Sequence, residues 1–151
     1  MMEHRFINLL LEIQYMERTK IFFAGSMYGG RQDEDLYKEL VEELKKSYEL
    51  LSDHVAYGEK ENLDDNGIYE KNIRLIGEAD LLIAEVSTPS IGVGYEVAAA
   101  IRAGKTVICL YRNGAKARIS SMVNGNPHLK VIRYDSVKEA MTGINKIVEG
   151  L

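Results

Sequence analysis

The sequence is poor in residues that cross-link a chain or bind metals. Its 151 residues include one cysteine, two prolines and no tryptophan. Because Cys109 has no second cysteine to pair with, an intrachain disulfide is excluded, and its apolar neighbours predict a core position. The three histidines, His4, His54 and His128, are scattered, so no cluster has the spacing of metal ligands. We therefore expect no metal and no cofactor, and a reducing, cytoplasmic environment.

Long apolar runs and an excess of basic residues are also missing. The apolar stretch 6–13 is too short to span a membrane, and no signal-peptide cleavage pattern follows it. A net charge of −4 argues against a nucleic-acid partner. We expect residues 19–151 to form one domain. Residues 1–18 are then an N-terminal extension, either an extra helix or a segment ahead of an alternative start at Met16.

Short apolar runs alternate with helical patterns along residues 19–151. This alternation predicts an α/β fold with a doubly wound parallel sheet, and five strands suggest the flavodoxin-like order 2-1-3-4-5. In that order the loops that leave strands 1 and 3 face each other across a crevice. The predicted strands are 20–24, 50–55, 79–86, 106–111 and 129–133, and the predicted helices are 33–49, 68–78, 95–103 and a last one that opens with a Ser136–Glu139 capping box.

The two crevice loops are rich in glycine and hydroxyl groups, and neither contains a P-loop or a dinucleotide fingerprint. Glycines allow a ligand to approach the backbone, and a helix start binds phosphate, so a mononucleotide site is favoured. We expect Glu96 in the first turn of the helix that follows the second crevice loop. There it is either a residue favoured by the helix dipole or a nucleophile toward an anomeric carbon. The candidate residues are Gly25, Ser26, Met27, Tyr28, Gly29, Gly30 and Arg31 in the first loop and Ser90, Gly92, Gly94 and Glu96 in the second.

Segments 21–31, 53–55, 79–86 and 89–96 resemble the 2′-deoxynucleoside 5′-phosphate N-hydrolases, which belong to the nucleoside 2-deoxyribosyltransferase superfamily. The resemblance runs from about residue 20 to the C-terminal helix. It implies a flavodoxin-like homodimer that hydrolyses the N-glycosidic bond of nucleoside 5′-monophosphates and needs no cofactor.

The resemblance also implies roles for individual residues. Glu96 falls on the family's nucleophile, and Ser26, Ser90 and the glycines beside them fall on positions that bind phosphate and sugar. Ser120, followed by Ser121 and Met122, matches a serine that the family lends to the neighbouring subunit's phosphate site. Tyr37 and His54 fall near the base and the pocket wall.

Two positions depart from the family pattern. Phe22 replaces a tyrosine of the first strand, which removes a hydroxyl near the nucleophile. Asn72 replaces an aspartate, and an asparagine can donate a hydrogen bond to a leaving base but cannot deliver a proton. Asp65, seven residues earlier, is a possible substitute acid. These departures keep open a nucleotide-binding module without catalysis. A deoxyribosyltransferase that exchanges bases is a second alternative, against which the serines at 26, 90 and 120 argue because a full transferase needs no phosphate site.

Overall fold

The protein contains the predicted five-stranded parallel sheet, with strand order β2-β1-β3-β4-β5. The computed structural model describes residues 2–16, 18–26, 33–53 and 62–151, with backbone alone for 14–16. Each pair of neighbouring strands is parallel, and Ala24 at the end of β1 lies beside Ala84 of β3. The strands are β1 Lys20–Ala24, β2 Glu49–Leu50, β3 Leu81–Glu85, β4 Thr106–Arg112 and β5 Lys130–Tyr134.

Helices cover both faces of this sheet, as a doubly wound fold requires. The two faces bury separate apolar clusters because successive strand residues point to opposite sides. Phe23 lies in the cluster beneath α2 and α6, whereas Phe22 lies in the cluster beneath α3 and α4. The described helices are α1 Met2–Met16, α2 Glu34–Lys45, α3 Asp65–Glu78, α4 Ile91–Arg102, the short α5 Ser121–Asn124 and α6 Val137–Glu149.

Helix α2 ends earlier than its sequence predicts. The periodic pattern over 33–49 suggests one helix, but the helix ends at Lys45. Glu49 and Leu50 instead pair with Lys20 and Ile21 to form the edge strand β2. Pairing with β1 therefore makes Glu49 and Leu50 a strand, although their local sequence pattern is helical.

Helix α4 begins four residues before the predicted start at Tyr95. Ser90 is its N-cap, and the Ser90 hydroxyl accepts a hydrogen bond from the Val93 amide at 3.3 Å. Gly92 and Gly94 are consequently helical. The expectation that Glu96 lies in the first turn was wrong, because this early start moves Glu96 into the second turn.

The predicted start of the last helix is confirmed. Ser136 caps α6 by accepting a hydrogen bond from the Glu139 amide at 3.2 Å. The Glu139 carboxylate accepts a hydrogen bond from the amide of Asp135 at 2.9 Å. In a reciprocal capping box the donor would be the amide of the N-cap residue, Ser136.

Helix α1 leaves its apolar side chains in solvent, with Phe6 64% and Leu10 49% exposed. Across the described ranges, every helix is too short or too polar to cross a membrane.

Candidate active site

The carboxyl ends of β1 and β3 lie side by side, so Gly25 and Ser26, which begin the first candidate loop, lie at the same edge of the sheet as the start of the second candidate loop. Ser26 lies buried just after β1, and Ser90 lies where α4 begins after β3. The amide groups at the start of α4 that follow Ser90 provide donors for an anion. The topology therefore places hydroxyl groups and a helix N-terminus at the switch point of the sheet.

Glu96 is held by a hydrogen bond that joins α3 to α4. The Asn72 side-chain Nδ2 donates to Oε1 of Glu96 at 3.1 Å, and both residues are half-buried. The two residues are 24 positions apart, and the packing of α3 against α4 brings them together. The structure thus pairs the two residues that the sequence names as catalytic candidates.

Burial raises the pKa of Glu96 from its ordinary value of 4.5 to about 7, although the hydrogen bond from Asn72 lowers it in part. Desolvation penalises the ionised carboxylate, so the carboxyl group changes charge near neutral pH. A group with a pKa near the working pH is suited to nucleophilic or acid–base chemistry.

Asn72 carries an unsatisfied polar atom. In the described part of the chain its Oδ1 is buried and has no hydrogen-bond partner. Most buried polar atoms in proteins are paired, so an unpaired carbonyl oxygen beside Glu96 needs an explanation.

Glu85 anchors the loop that leads to Ser90. Its side chain is fully buried and accepts hydrogen bonds from the Tyr134 hydroxyl at 3.0 Å and the Ser87 amide at 3.3 Å, as well as from the Ser87 hydroxyl. Burial raises the pKa of the Glu85 carboxyl, and these donors lower it in part. The apolar pattern of 79–86 does not predict a role for Glu85. A glutamate inside a buried strand is uncommon, however, and this is the one feature of the sequence that points to it.

A second anchor ties the same loop to α2. Asp33 is 5% exposed, pairs with Nη1 of Arg112 at 3.0 Å and accepts a hydrogen bond from the Thr88 hydroxyl. The Arg112 amide donates to the Ser87 hydroxyl at 2.8 Å. The sequence does not indicate these contacts, because the partners lie 25 to 79 positions apart.

Tyr37 supports the first loop from behind. Its ring packs edge-on against Phe23, and its hydroxyl accepts a hydrogen bond from the Ser26 amide at 3.2 Å. A Cβ on Gly25 would come within 3.1 Å of the Tyr37 ring, so this packing explains the glycine. Tyr37 is 3% exposed and lies in the core beneath α2 and α6, which leaves its hydroxyl as the part nearest the crevice.

The glycines of α4 have a different surrounding. Among the described residues, a Cβ on Gly94 would meet no atom within 4 Å, and one on Gly92 would meet only the Ser90 hydroxyl at 3.9 Å. Packing against these residues therefore does not require either glycine.

A cavity of about 550 Å³ borders the flank of α4 that carries Ser90 and Gly94. Its opposite wall includes Arg118, Ser120 and Met122. The Ser120 hydroxyl caps α5 by accepting a hydrogen bond from the Met122 amide at 3.2 Å, and its side chain is exposed. Ser121 and Met122 are also exposed, and Glu96 does not line this cavity.

The remaining predicted site residues are placed as follows. Phe22 is fully buried on the sheet face beneath α3 and α4, the face on which Glu96 and Asn72 meet. In the part of the chain that the structure describes, no three His, Cys, Asp or Glu side chains form a metal-binding group. Met27, Tyr28, Gly29, Gly30, Arg31 and His54 lie outside the described residues.

The fold has close counterparts among solved structures. A CMP N-glycosidase from Clostridium botulinum superposes with a TM-score of 0.61 and 18% sequence identity, covering 85% of this chain and 99% of its own. A conserved protein from Enterococcus faecalis gives a TM-score of 0.62 at 20% identity, covering 85% and 98% of the two chains. At these identities the similarity concerns the fold.

Relatives found by sequence share a higher percentage of identical residues with this chain. A protein from Syntrophotalea carbinolica, named as a 2′-deoxynucleoside 5′-phosphate N-hydrolase, is 44% identical over 126 residues, which cover 80% of this chain and 87% of the relative. The 5-hydroxymethyl-dUMP N-hydrolase of Rattus norvegicus is 38% identical over 111 residues, with coverage of 70% and 68%. The family description "nucleoside 2-deoxyribosyltransferase" matches residues 21–141. The chain therefore belongs to the nucleoside 2-deoxyribosyltransferase family.

Proposed function

We propose that this protein hydrolyses the N-glycosidic bond of nucleoside 5′-monophosphates, ribo or 2′-deoxy, to a free base and the corresponding sugar 5-phosphate. One observation carries the proposal: Glu96 lies half-buried in the second turn of α4, where it is hydrogen-bonded to Asn72 and burial raises the pKa of its carboxyl to about 7. Relatives named as nucleotide N-hydrolases support this type of reaction.

In the proposed mechanism the ionised Glu96 carboxylate attacks C1′ on the face opposite the base. The C1′–N bond breaks, and its electron pair leaves with the base, which takes a proton from a first water and leaves a hydroxide. A second water then attacks C1′ of the glycosyl ester and gives its proton to that hydroxide. The ester bond to Glu96 breaks, which releases the sugar 5-phosphate and restores the carboxylate. The Asn72 amide donates to Glu96 and holds it in place for the attack.

The substrate phosphate would bind at the N-terminus of α4. The Ser90 hydroxyl and the free amides of the first turn form an anion site, and Gly92 lets the phosphate approach the backbone. Ser26, buried at the end of β1, would face the sugar from the other side of the crevice. A phosphate site favours hydrolysis of nucleotides over base exchange between free nucleosides.

We further propose that the working enzyme is a homodimer in which Ser120 of the partner subunit completes the phosphate site. Large apolar side chains on this side of the molecule are exposed, with Ile91 at 95%, Met122 at 82% and Tyr95 at 55%. Such a patch is typical of a surface that another chain covers. The buried, unpaired Cys109 suits a protein that works in the cytoplasm.

The activity is tested with a panel of ribo- and deoxyribonucleoside 5′-monophosphates, with released base measured by chromatography. Glu96→Gln should release none, whereas Glu39→Gln, an exposed control on α2, should match the wild type. Transfer of the sugar to an added free base would identify a transferase, and tight binding without turnover would identify a binding module. Either result would refute the proposed hydrolysis.

The dimer is tested by complementation. Mixed Glu96→Gln and Ser120→Ala proteins should form hybrids that contain one intact site and recover part of the activity that each homodimer lacks. A monomer in light scattering, or inactive mixtures after subunit exchange, would refute the shared site.

A further inference from the structure

We propose that Oδ1 of Asn72 accepts a hydrogen bond from the 2′-hydroxyl of the substrate, which makes ribonucleoside 5′-monophosphates the preferred substrates. The inference rests on the proposed function, because it assumes that Glu96 attacks C1′ of a nucleotide. It assigns to Asn72 a part in substrate selection in addition to its contact with Glu96.

The first observation is the unpaired oxygen itself. Oδ1 of Asn72 is buried and lacks a hydrogen-bond partner in the described ranges. An acceptor left unsatisfied in a buried position destabilises the state that contains it, so a ligand that supplies a donor is favoured there. In the proposed complex a group of the bound substrate supplies this donor.

The second observation fixes the orientation of the amide. Nδ2 donates to Oε1 of Glu96 at 3.1 Å. An ionised carboxylate accepts hydrogen bonds only, so exchanging the amide oxygen and nitrogen would place two acceptors against each other. While Glu96 is ionised, the oxygen of Asn72 is thus the atom that remains for a ligand.

Stereochemistry selects the ligand group. In a β-nucleotide the base lies on one face of the sugar, and Glu96 must approach C1′ from the other face. The 2′-hydroxyl of a ribonucleotide lies on that same face, on the carbon next to C1′. A side chain hydrogen-bonded to the attacking carboxylate can therefore reach the 2′-hydroxyl from that same face of the sugar. The 3′-hydroxyl shares this face but lies one carbon further away.

An asparagine satisfies both neighbours while Glu96 is ionised, whereas an aspartate can do so only in its protonated form. Two carboxyl groups about 3 Å apart share one proton, so an acid at position 72 would compete with Glu96 for it. The amide donates to Glu96 without taking its proton and still offers an acceptor to a hydroxyl.

The test combines a change in the protein, at position 72, with a change in the substrate, at the 2′-group. kcat/KM is measured for the wild type, Asn72→Leu and the control Glu39→Gln with the ribo, 2′-deoxy and 2′-deoxy-2′-fluoro forms of one 5′-monophosphate. Loss of the amide that supports Glu96 slows all three substrates alike, so only the ratios report on Oδ1. Asn72→Ala provides a second variant if the leucine form does not fold.

The wild type should favour the ribonucleotide, and the ribo-to-deoxy ratio should fall about three- to tenfold in Asn72→Leu, as expected for one lost neutral hydrogen bond. The fluoro substrate, which cannot donate, should follow the deoxy substrate. The control should keep the wild-type ratio.

An unchanged ratio would overturn the inference while leaving the proposed hydrolysis intact. A wild-type preference for the deoxy substrate, or an effect that depends on the base rather than on the 2′-group, would overturn it as well. Failure of the wild type to bind or cleave any 5′-monophosphate would overturn both the function and the inference.

Discussion

Replacing Glu96 by glutamine tests the link between the burial of this side chain and its chemistry. Burial raises the pKa of its carboxyl from an ordinary value of 4.5 to about 7. The folded protein therefore binds this proton more tightly than the unfolded chain does. The resulting stability is fully present below pH 4.5 and is lost as the pH rises through 7.

The size of the effect follows from the shift. A difference of about 2.5 pKa units at about 1.36 kcal/mol per unit is a cost of about 3 kcal/mol above pH 7. Glu96 is half-buried, so this is an upper value. Glutamine keeps an oxygen that accepts from Asn72 and carries no charge, so the variant avoids the cost.

Urea denaturation at pH 8 and pH 5 measures the difference. Glu96→Gln should be up to about 3 kcal/mol more stable than the wild type at pH 8, and this advantage should shrink to below about 1 kcal/mol at pH 5. The gain at pH 8 corresponds to a rise in Tm of roughly 5–10 °C for a chain of this size. The exposed control Glu39→Gln should change by less than about 0.5 kcal/mol at either pH.

The same variant should have no measurable turnover, and the wild-type kcat/KM should rise with pH through 7 as the carboxylate forms. A stability difference that does not change with pH would refute the raised pKa. Substantial hydrolysis by Glu96→Gln would refute its role as the nucleophile.

Two other substitutions probe the surroundings of the site. Phe22→Tyr should restore a hydroxyl near Glu96, increase turnover by about one to two decades and raise the deoxy-to-ribo ratio, as measured with paired monophosphates; an unchanged rate and ratio would make Phe22 a core residue alone. Tyr134→Phe should leave Glu85 one donor short and lower the free energy of unfolding by about 1–3 kcal/mol in urea titrations; a loss below about 0.5 kcal/mol would show that the anchor of the Ser90 loop does not need this hydroxyl.

The sequence by itself determined the fold class. Five short apolar runs separated by helical patterns predict a parallel sheet, and the structure confirms both the sheet and its order. The boundaries were less predictable. Glu49 and Leu50 continue a helical pattern locally, yet pairing with β1 makes them a strand. The start of α4 was readable from Ser90 as an N-cap, but Gly92 and Gly94 favoured a loop.

The sequence also indicated Glu96, from its place after Gly92 and Gly94 and from the family resemblance, and Asn72, from the resemblance alone. Their hydrogen bond, the raised pKa of Glu96 and the unpaired oxygen of Asn72 were decided by the packing of α3 against α4. The same is true of Glu85, whose partner Tyr134 is 49 positions away. Desolvation and hydrogen bonding depend on which groups meet in space, and a linear pattern predicts which element a side chain occupies but not what faces it across the fold.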